Sequence, residues 1–388
     1  MDLNALLRRA VDLGASDVHL KQGQPPVLRR DGELAPLEDH APLDEAALAA
    51  VLGTVGARTP EKLQQFHATG DLDTAYQDED LPRFRVNGYR QRGAISFAFR
   101  VIPKTVPSFS ELGMPHVVQK LSEEHRGLIL CTGATGSGKT TTLAAMLDHM
   151  NRTRRQHIVT IEDPIEILHD DHGSIINQRE VGLDTNSFGE ALRRALRQDP
   201  DVILIGEMRD EETVQTALSA AETGHLVLST VHTVDATESI NRMLDFFPPH
   251  QHQQARAMIA GTLKGVVSQR LIPSADGGGR VAVCEILVMT GRVRDMIMDP
   301  TQTGRLHEVI QEGEYYGMQT FDQALLKHVQ AGRVSMEEAL RAATHPHDFK
   351  LLVAAEGRRS TSMEDVVQGE RGGNQPAGAP PSGSSVRA

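Results

Sequence analysis

Gly133-Ala134-Thr135-Gly136-Ser137-Gly138-Lys139-Thr140 has the form GxxxxGKT and directly follows the apolar run Gly127-Leu-Ile-Leu-Cys-Thr132. The stretch Thr141-Thr142-Leu143-Ala144-Ala145-Met146-Leu147 comes next and reads as helical, so the order is strand, phosphate loop, helix. A loop wrapped around phosphates must bring backbone N–H groups close to the ligand, and side chains at Gly133, Gly136 or Gly138 would obstruct that approach. The helix that follows points its N-terminus, worth roughly half a positive charge, at the anion. Lys139 adds a full charge near the β/γ-phosphates, and the Thr140 hydroxyl suits Mg2+. Thr135, Gly136, Ser137, Gly138, Lys139, Thr140 and Thr141 are therefore the expected nucleotide-binding residues, for ATP or another nucleoside triphosphate.

Working outward, 388 residues allow two or three domains, and 39% hydrophobic residues suit a soluble globular chain. A formal charge of −12, with a pI near 5.8, argues against a broad electrostatic grip on nucleic acid or anionic lipid and favours protein partners. Cys131 and Cys284 both sit in apolar runs and read as buried thiols of a cytoplasmic protein. No apolar stretch approaches the ~18 residues that span a bilayer, so no membrane insertion is expected.

Toward the N-terminus, apolar residues at 3, 6, 7, 10 and 11 line one face of a helix capped by Asp2, and Gly14 ends it. Ala15-Ser-Asp-Val-His-Leu20 opens a strand-rich segment, a helical stretch runs from Asp44 through Phe66, and Asp71 to Pro103 returns to strands. This mixture predicts a small α+β domain over residues 1–103. Arg83, Arg85, Arg90, Arg92 and Arg100 form a basic cluster there: either a solvated strand face or a set from which one or two reach a nucleotide on a neighbouring subunit. Residues 104–114 read as a linker, residues 115–356 as an α/β domain with C-terminal helices, and residues 357–388, rich in Gly, Pro and Ser, as a disordered tail.

In the α/β part, four strand candidates follow one another: Gly127–Thr132, His157–Ile161, Asp201–Ile205 and Leu226–Val231, implying a mainly parallel sheet. Ligands gather beyond the carboxyl ends of such strands. The first ends in the phosphate loop, the second in Glu162-Asp163-Pro164 with Glu166 close behind, the third in Gly206-Glu207-Met208-Arg209-Asp210, the fourth in Thr230-Val231-His232-Thr233. Glu207 is the expected catalytic carboxylate, serving the attacking water, a Mg2+ ion through water, or both. Glu162, Asp163 and Glu166 crowd negative charge where only a divalent cation or an arginine makes it tolerable beside a triphosphate. His225 and His232 bracket the fourth strand on opposite faces; His232, past its end, is the better γ-phosphate sensor. Arg197 and Arg209 flank the third strand and either bridge to a neighbour's nucleotide or pair with Asp199, Asp201 or Asp210.

These residues resemble a known family: the secretion ATPases of the type IV pilus and type II secretion class, and within it the PilT-like pilus retraction motors. Ala15-Ser-Asp-Val-His-Leu20 is similar to the family's opening motif, Arg83-Phe-Arg-Val-Asn87 to its N-domain strand, and Gly133–Thr140 to the Walker A loop. Thr160–Glu166 resembles the aspartate box, Asp199–Asp210 the atypical Walker B, and Thr223–Thr233 the histidine box. The resemblance implies a PAS-like N-terminal domain before a RecA-like P-loop NTPase domain and a homohexamer using ATP and Mg2+. It also implies ATP held between the domains, with arginines such as Arg85 and Arg100 completing the site. An inner-membrane pilus platform protein and a paralogous retraction ATPase are the further implied partners. The segment Arg270–Arg280 carries no cysteine where assembly motors typically carry a four-cysteine zinc module, which favours retraction. Val293-Arg294-Asp295-Met296-Ile297 matches the C-terminal retraction motif imperfectly, leaving an accessory PilU-like role open, as is that of a nucleotide-gated adaptor with little turnover.

Overall fold

The computed structural model describes residues 2–355 apart from 31, 58 and 79. The tail read as disordered, residues 357–388, lies outside the described residues.

The chain opens with helix α1 (Leu3–Asp12), whose cap Asp2 accepts a hydrogen bond from the Ala5 amide at 3.1 Å and whose Leu3, Leu6, Leu7 and Ala10 are buried. Strands β1 (Asp17–Lys21), β2 (Val27–Arg30) and β3 (Glu33–Pro36) follow, then α2 (Glu45–Gly56), α3 (Pro60–Thr69), β4 (Asp71–Tyr76), β5 (Phe84–Gln91) and β6 (Ala94–Val101). The helical stretch expected from Asp44 through Phe66 is thus two helices. Pro60 stands at the start of α3, where its missing N–H costs nothing, whereas inside a continuous helix it would break the ladder. Among the described residues the six strands form one antiparallel sheet in the order β3-β2-β1-β6-β5-β4. Alternate residues such as Phe84, Val86, Phe97 and Phe99 bury one face of it against Leu7, Leu48, Leu52 and Phe66.

Residues 102–115 contain neither strand nor helix. Beyond them come α4 (His116–Ser122), β7 (Gly127–Thr132), α5 (Lys139–Thr153), β8 (His157–Glu162), β9 (Ile175–Glu180), α6 (Phe188–Ala195), β10 (Val202–Ile205), α7 (Glu211–Glu222) and β11 (Leu226–Val231). Then follow α8 (Ala236–Asp245), α9 (His252–Thr262), β12 (Leu263–Pro273), β13 (Arg280–Val288), α10 (Gly291–Met298), α11 (Leu306–Glu312), α12 (Phe321–Gln330) and α13 (Met336–Ala342). The second sheet has seven described strands in the order β13-β12-β7-β11-β10-β8-β9, with parallel pairing from β12 through to β9. Three of its strands, β9, β12 and β13, are additional to the four expected from the sequence. Ile175-Ile-Asn-Gln-Arg-Glu180 lacks an apolar alternation because it is an edge strand, and β12 starts directly after α9 with no turn residue to mark it.

Every residue of β7, β10 and β11 is buried, as expected for parallel strands covered on both faces. Helix α6 buries Phe188, Ala191, Leu192 and Ala195 on this sheet and turns Arg193 and Arg194 outward, to Glu212 and Glu190. Cys131 and Cys284 are buried and free, and burial pushes the Cys131 thiol up to about 12, so it stays an inert neutral group.

By compactness the chain divides into two units. The first comprises residues up to Leu271 together with Cys284–Thr320. Among the described residues the second is Ile272–Val283 with residues 321–355, and has its own apolar centre of Ile272, Val283, Phe321, Leu325, Val334 and Phe349.

Candidate nucleotide site

Register explains why the motifs meet. Thr132 pairs with Val231, Ile205 with Ser229, and Ile205 with Ile161, so four neighbouring parallel strands end at one edge. Each motif is the chain's exit from that edge.

At its centre, helix α5 begins at Lys139, and its cap residue Gly138 supplies no side chain to the first-turn amides. Gly133 and Gly138 have φ of 143° and 91°, which favours glycine. A Cβ at Gly133 would run into the Gln269 carbonyl oxygen, and one at Gly138 would lie 2.7 Å from Gln269 Nε2. Ser137 Oγ is buried and has no hydrogen-bond partner among the described residues. Bare glycine backbone, uncapped amides and an unsatisfied hydroxyl fit a phosphate group. Lys139 Nζ donates to the Gly133 and Ala134 carbonyls at 2.8 and 3.0 Å. Burial lowers its pKa, opposed by Cys131, Glu166 and Glu207, so carboxylates of two different motifs act on the loop lysine. Thr140 is half-buried and Thr141 follows it in the first turn of α5; Thr135 and Gly136 are exposed on the loop.

The loop leans on β12. Thr142 Oγ1 donates to Gln269 Oε1 at 2.7 Å, and Thr132 Oγ1 donates to Ser268 Oγ at 2.9 Å, all four residues being buried. Gln269 is thus part of the site although no motif announces it; the β-branched pair Val266-Val267 before it is the signal that marks its strand.

At the end of β8, Glu162 is buried and accepts from Thr160 Oγ1 at 2.6 Å and Gln178 Nε2 at 3.1 Å. Burial raises its pKa against these hydrogen bonds. Asp163 and Glu166 are exposed beside it. At the end of β10, the Glu207 carboxylate is 15% exposed, is bound by the Arg209 guanidinium, and lies 3.4 Å from His232 Nε2. Arg209 therefore pairs with Glu207 and not with Asp199, Asp201 or Asp210. Asp210 instead caps α7, accepting from the Thr213 amide at 2.8 Å, and Asp201 accepts from the His157 amide at 2.8 Å. Thr230 Oγ1 donates to the Gly206 carbonyl at 2.7 Å, pinning the strand end that carries Glu207 to β11.

The structure separates the two histidines: His232 faces Glu207, whereas His225 precedes β11 and its Nδ1 lies 2.9 Å from the Ala220 carbonyl of α7. Arg197 is exposed just after α6, and Arg294 is exposed on α10. Arg85 is exposed on β5, opposite Arg100 on β6, whose Nε donates to Asp17 at 2.9 Å. Arg83 is nearly buried, in a 2.6 Å ion pair with Glu180 of β9.

Among the described residues no three His, Cys, Asp or Glu side chains stand together as a metal cage. Mg2+ characteristically takes one or two protein ligands plus substrate phosphates, which the Thr140 hydroxyl and the Glu207 carboxylate fit. No described helix is long and apolar enough to cross a membrane.

Residues 1–341 match the family model described as Type II/IV secretion system protein. The chain is 43% identical over 349 residues to the type IV pilus retraction ATPase PilT of Pseudomonas aeruginosa, covering 90% of this chain and 100% of that protein. It is 38% identical over 356 residues to the type IV pilus ATPase PilU of the same organism, covering 91% of each. Among solved structures, the crystal structure of the pilus retraction motor PilT with bound ADP superposes with a TM-score of 0.83 at 42% identity, over 90% of this chain and 98% of that one. With a phosphate loop at the carboxyl edge of a parallel sheet and a family match over nearly all described residues, this chain belongs to the Type II/IV secretion system protein family.

Proposed function

We propose that the protein is a Mg-dependent ATP hydrolase that works as a homohexameric ring at the cytoplasmic face of the membrane and powers retraction of type IV pili. Full-length similarity to a pilus retraction ATPase carries this reading. In it, Lys139 and the amides of the loop bind and orient the phosphates. Glu207 aligns the attacking water and takes its proton, with His232 at the same edge sensing the γ-phosphate. Arg209, now on Glu207, is placed to swing to the phosphates, and Arg85, Arg100 and Arg197 complete the site from the PAS-like domain or a neighbouring subunit. Glu162, Asp163 and Glu166 supply the carboxylates at the adjacent strand end. Mg2+, when bound, neutralises phosphate charge and polarises the terminal phosphoryl group. Arg294 belongs to a surface that passes the motion on, toward an inner-membrane platform protein.

Chromosomal deletion tests the reading: cells with surplus pili that no longer retract are expected, and complementation with Glu207→Gln should not restore retraction. Bald cells would assign the motor to assembly. A second reading, an accessory ATPase of the PilU kind, is favoured by 38% identity over 91% of both chains and by the departures around Arg294. Retraction that persists in the deletion at low load and fails only under high load would select it.

A further inference from the structure

Strand β9 sends two alternate side chains, Gln178 and Glu180, to the same side of the sheet edge, and both end on the segment that leaves β8. Gln178 Nε2 donates to Glu162 Oε1 at 3.1 Å and to the Ile167 carbonyl at 2.9 Å, and its Oε1 accepts from the His169 amide at 2.9 Å. Glu180 Oε2 accepts from the Ile165 amide at 3.2 Å. That same oxygen takes the Arg83 guanidinium at 2.6 Å, with side chains only 14% and 4% exposed. We infer that Gln178 and Glu180 are positioning residues for the acidic segment 162–169, and that Glu180 makes this segment's posture depend on Arg83, the residue that leads into β5 of the N-terminal sheet.

The physical reason lies in the shared acceptor. A carboxylate this buried is tolerated only while a cation faces it; without Arg83 it rotates toward water. That rotation withdraws the oxygen from the Ile165 amide, and the turn that presents Asp163 and Glu166 loses an anchor. A simple packing bridge would stabilise the chain without touching this turn. Here one atom serves both contacts, so a displacement of the N-terminal sheet is felt at the carboxylates beside the phosphate loop. This rests on the ATP-hydrolase reading for its functional consequence, though not for the structural coupling itself.

Hydrogen exchange resolved at the Ile165 amide, together with kcat and KM, tests it in the full chain carrying Arg83→Met, Glu180→Met, or both. Each single variant is expected to speed Ile165 exchange about tenfold, the effect of one lost hydrogen bond near 1.4 kcal/mol. Each is also expected to lower kcat about tenfold with KM within twofold. The double variant, in which an apolar pair replaces the ions, should regain thermal stability but neither Ile165 protection nor kcat, which separates positioning from packing. Arg83→Lys, which keeps the charge, should stay within threefold of the parent. Parent-rate exchange at Ile165 in Arg83→Met, kcat losses that multiply in the double variant, or a change confined to KM would each overturn the coupling. A parent chain without ATP turnover, but with exchange responding as described, would count against the hydrolase reading and leave the coupling standing.

Discussion

Glu207 and His232 meet across the ends of two adjacent parallel strands, carboxylate oxygen to imidazole Nε2 at 3.4 Å, while the Arg209 guanidinium occupies the same carboxylate. The group proposed to activate water is therefore held by residues of its own edge and must exchange Arg209 for a ligand to act. Glu207→Gln is expected to bind ATP and to lower turnover by about 10²–10⁴-fold, the usual contribution of a positioned general base. Phosphate release measured beside nucleotide titration checks this; an unchanged rate would remove Glu207 from the role.

Lys139 spends its ammonium on two loop carbonyls, which a phosphate can replace. Lys139→Ala should weaken ATP binding by about 10- to 100-fold, the worth of a charge-assisted hydrogen bond. Equilibrium titration with a fluorescent nucleotide decides it, and a change under threefold would contradict the proposed contact.

The three loop glycines should not respond alike. At Gly133 a methyl group meets the Gln269 carbonyl, and at Gly138 it stands 2.7 Å from Gln269 Nε2, whereas at Gly136 nothing lies within 4 Å. Gly133→Ala, which meets backbone, should abolish nucleotide binding, and Gly138→Ala, which meets a side-chain end at a φ of 91°, should weaken it. Gly136→Ala, strained only by its φ of 78°, should cost about 1–2 kcal/mol of loop stability and retain measurable binding. Equal losses at all three positions would mean that β12 does not shape the loop.

Glu162 is buried with its pKa raised above the ordinary 4.5. Above that pH the unfolded chain releases the proton while the folded chain still holds it, so this residue subtracts stability as pH rises toward its folded pKa. Glu162→Gln, which carries no charge, should therefore melt higher than the parent at pH 8, with the gap closing near pH 4. Thermal melts across that range give the sign, and a gap that widens toward acid would refute it.

In the second unit, His328 is 7% exposed and its pKa is lowered to about 4, first by burial and then by the Arg333 charge. The unfolded histidine takes a proton near pH 6.5 and the folded one does not, so stability is full above pH 6.5 and falls as pH drops toward 4. By pH 5 the loss amounts to about 2 kcal/mol. His328→Leu should flatten the dependence between pH 7 and pH 5 in denaturant titrations; an unaltered slope would place the acid sensitivity elsewhere.

The helix capped by Asp2, the apolar parallel strands and the phosphate loop were legible because each signal is local. A side-chain oxygen meets an amide three residues on, an apolar run is continuous, and three glycines recur in one octet. Strand β9 was hidden because its alternating side chains bind the neighbouring segment through polar groups, so it shows no hydrophobic period. The pairing of Arg209 with Glu207 was not legible, because the carboxylates nearest in sequence are otherwise engaged, Asp210 in a helix cap and Asp201 at a backbone amide.

Sequence by itself determined the chemistry available: which residues can cradle phosphates, which carboxylates follow which strand, and which faces must be covered. Tertiary structure alone decided their pairings. Gln269 came behind the loop, Glu180 onto Arg83 and Ile165, and Arg209 to Glu207, through contacts between residues as many as 127 positions apart. Strand order and register fix such contacts. They are set by burying the whole sheet at once, so no single stretch of chain encodes them.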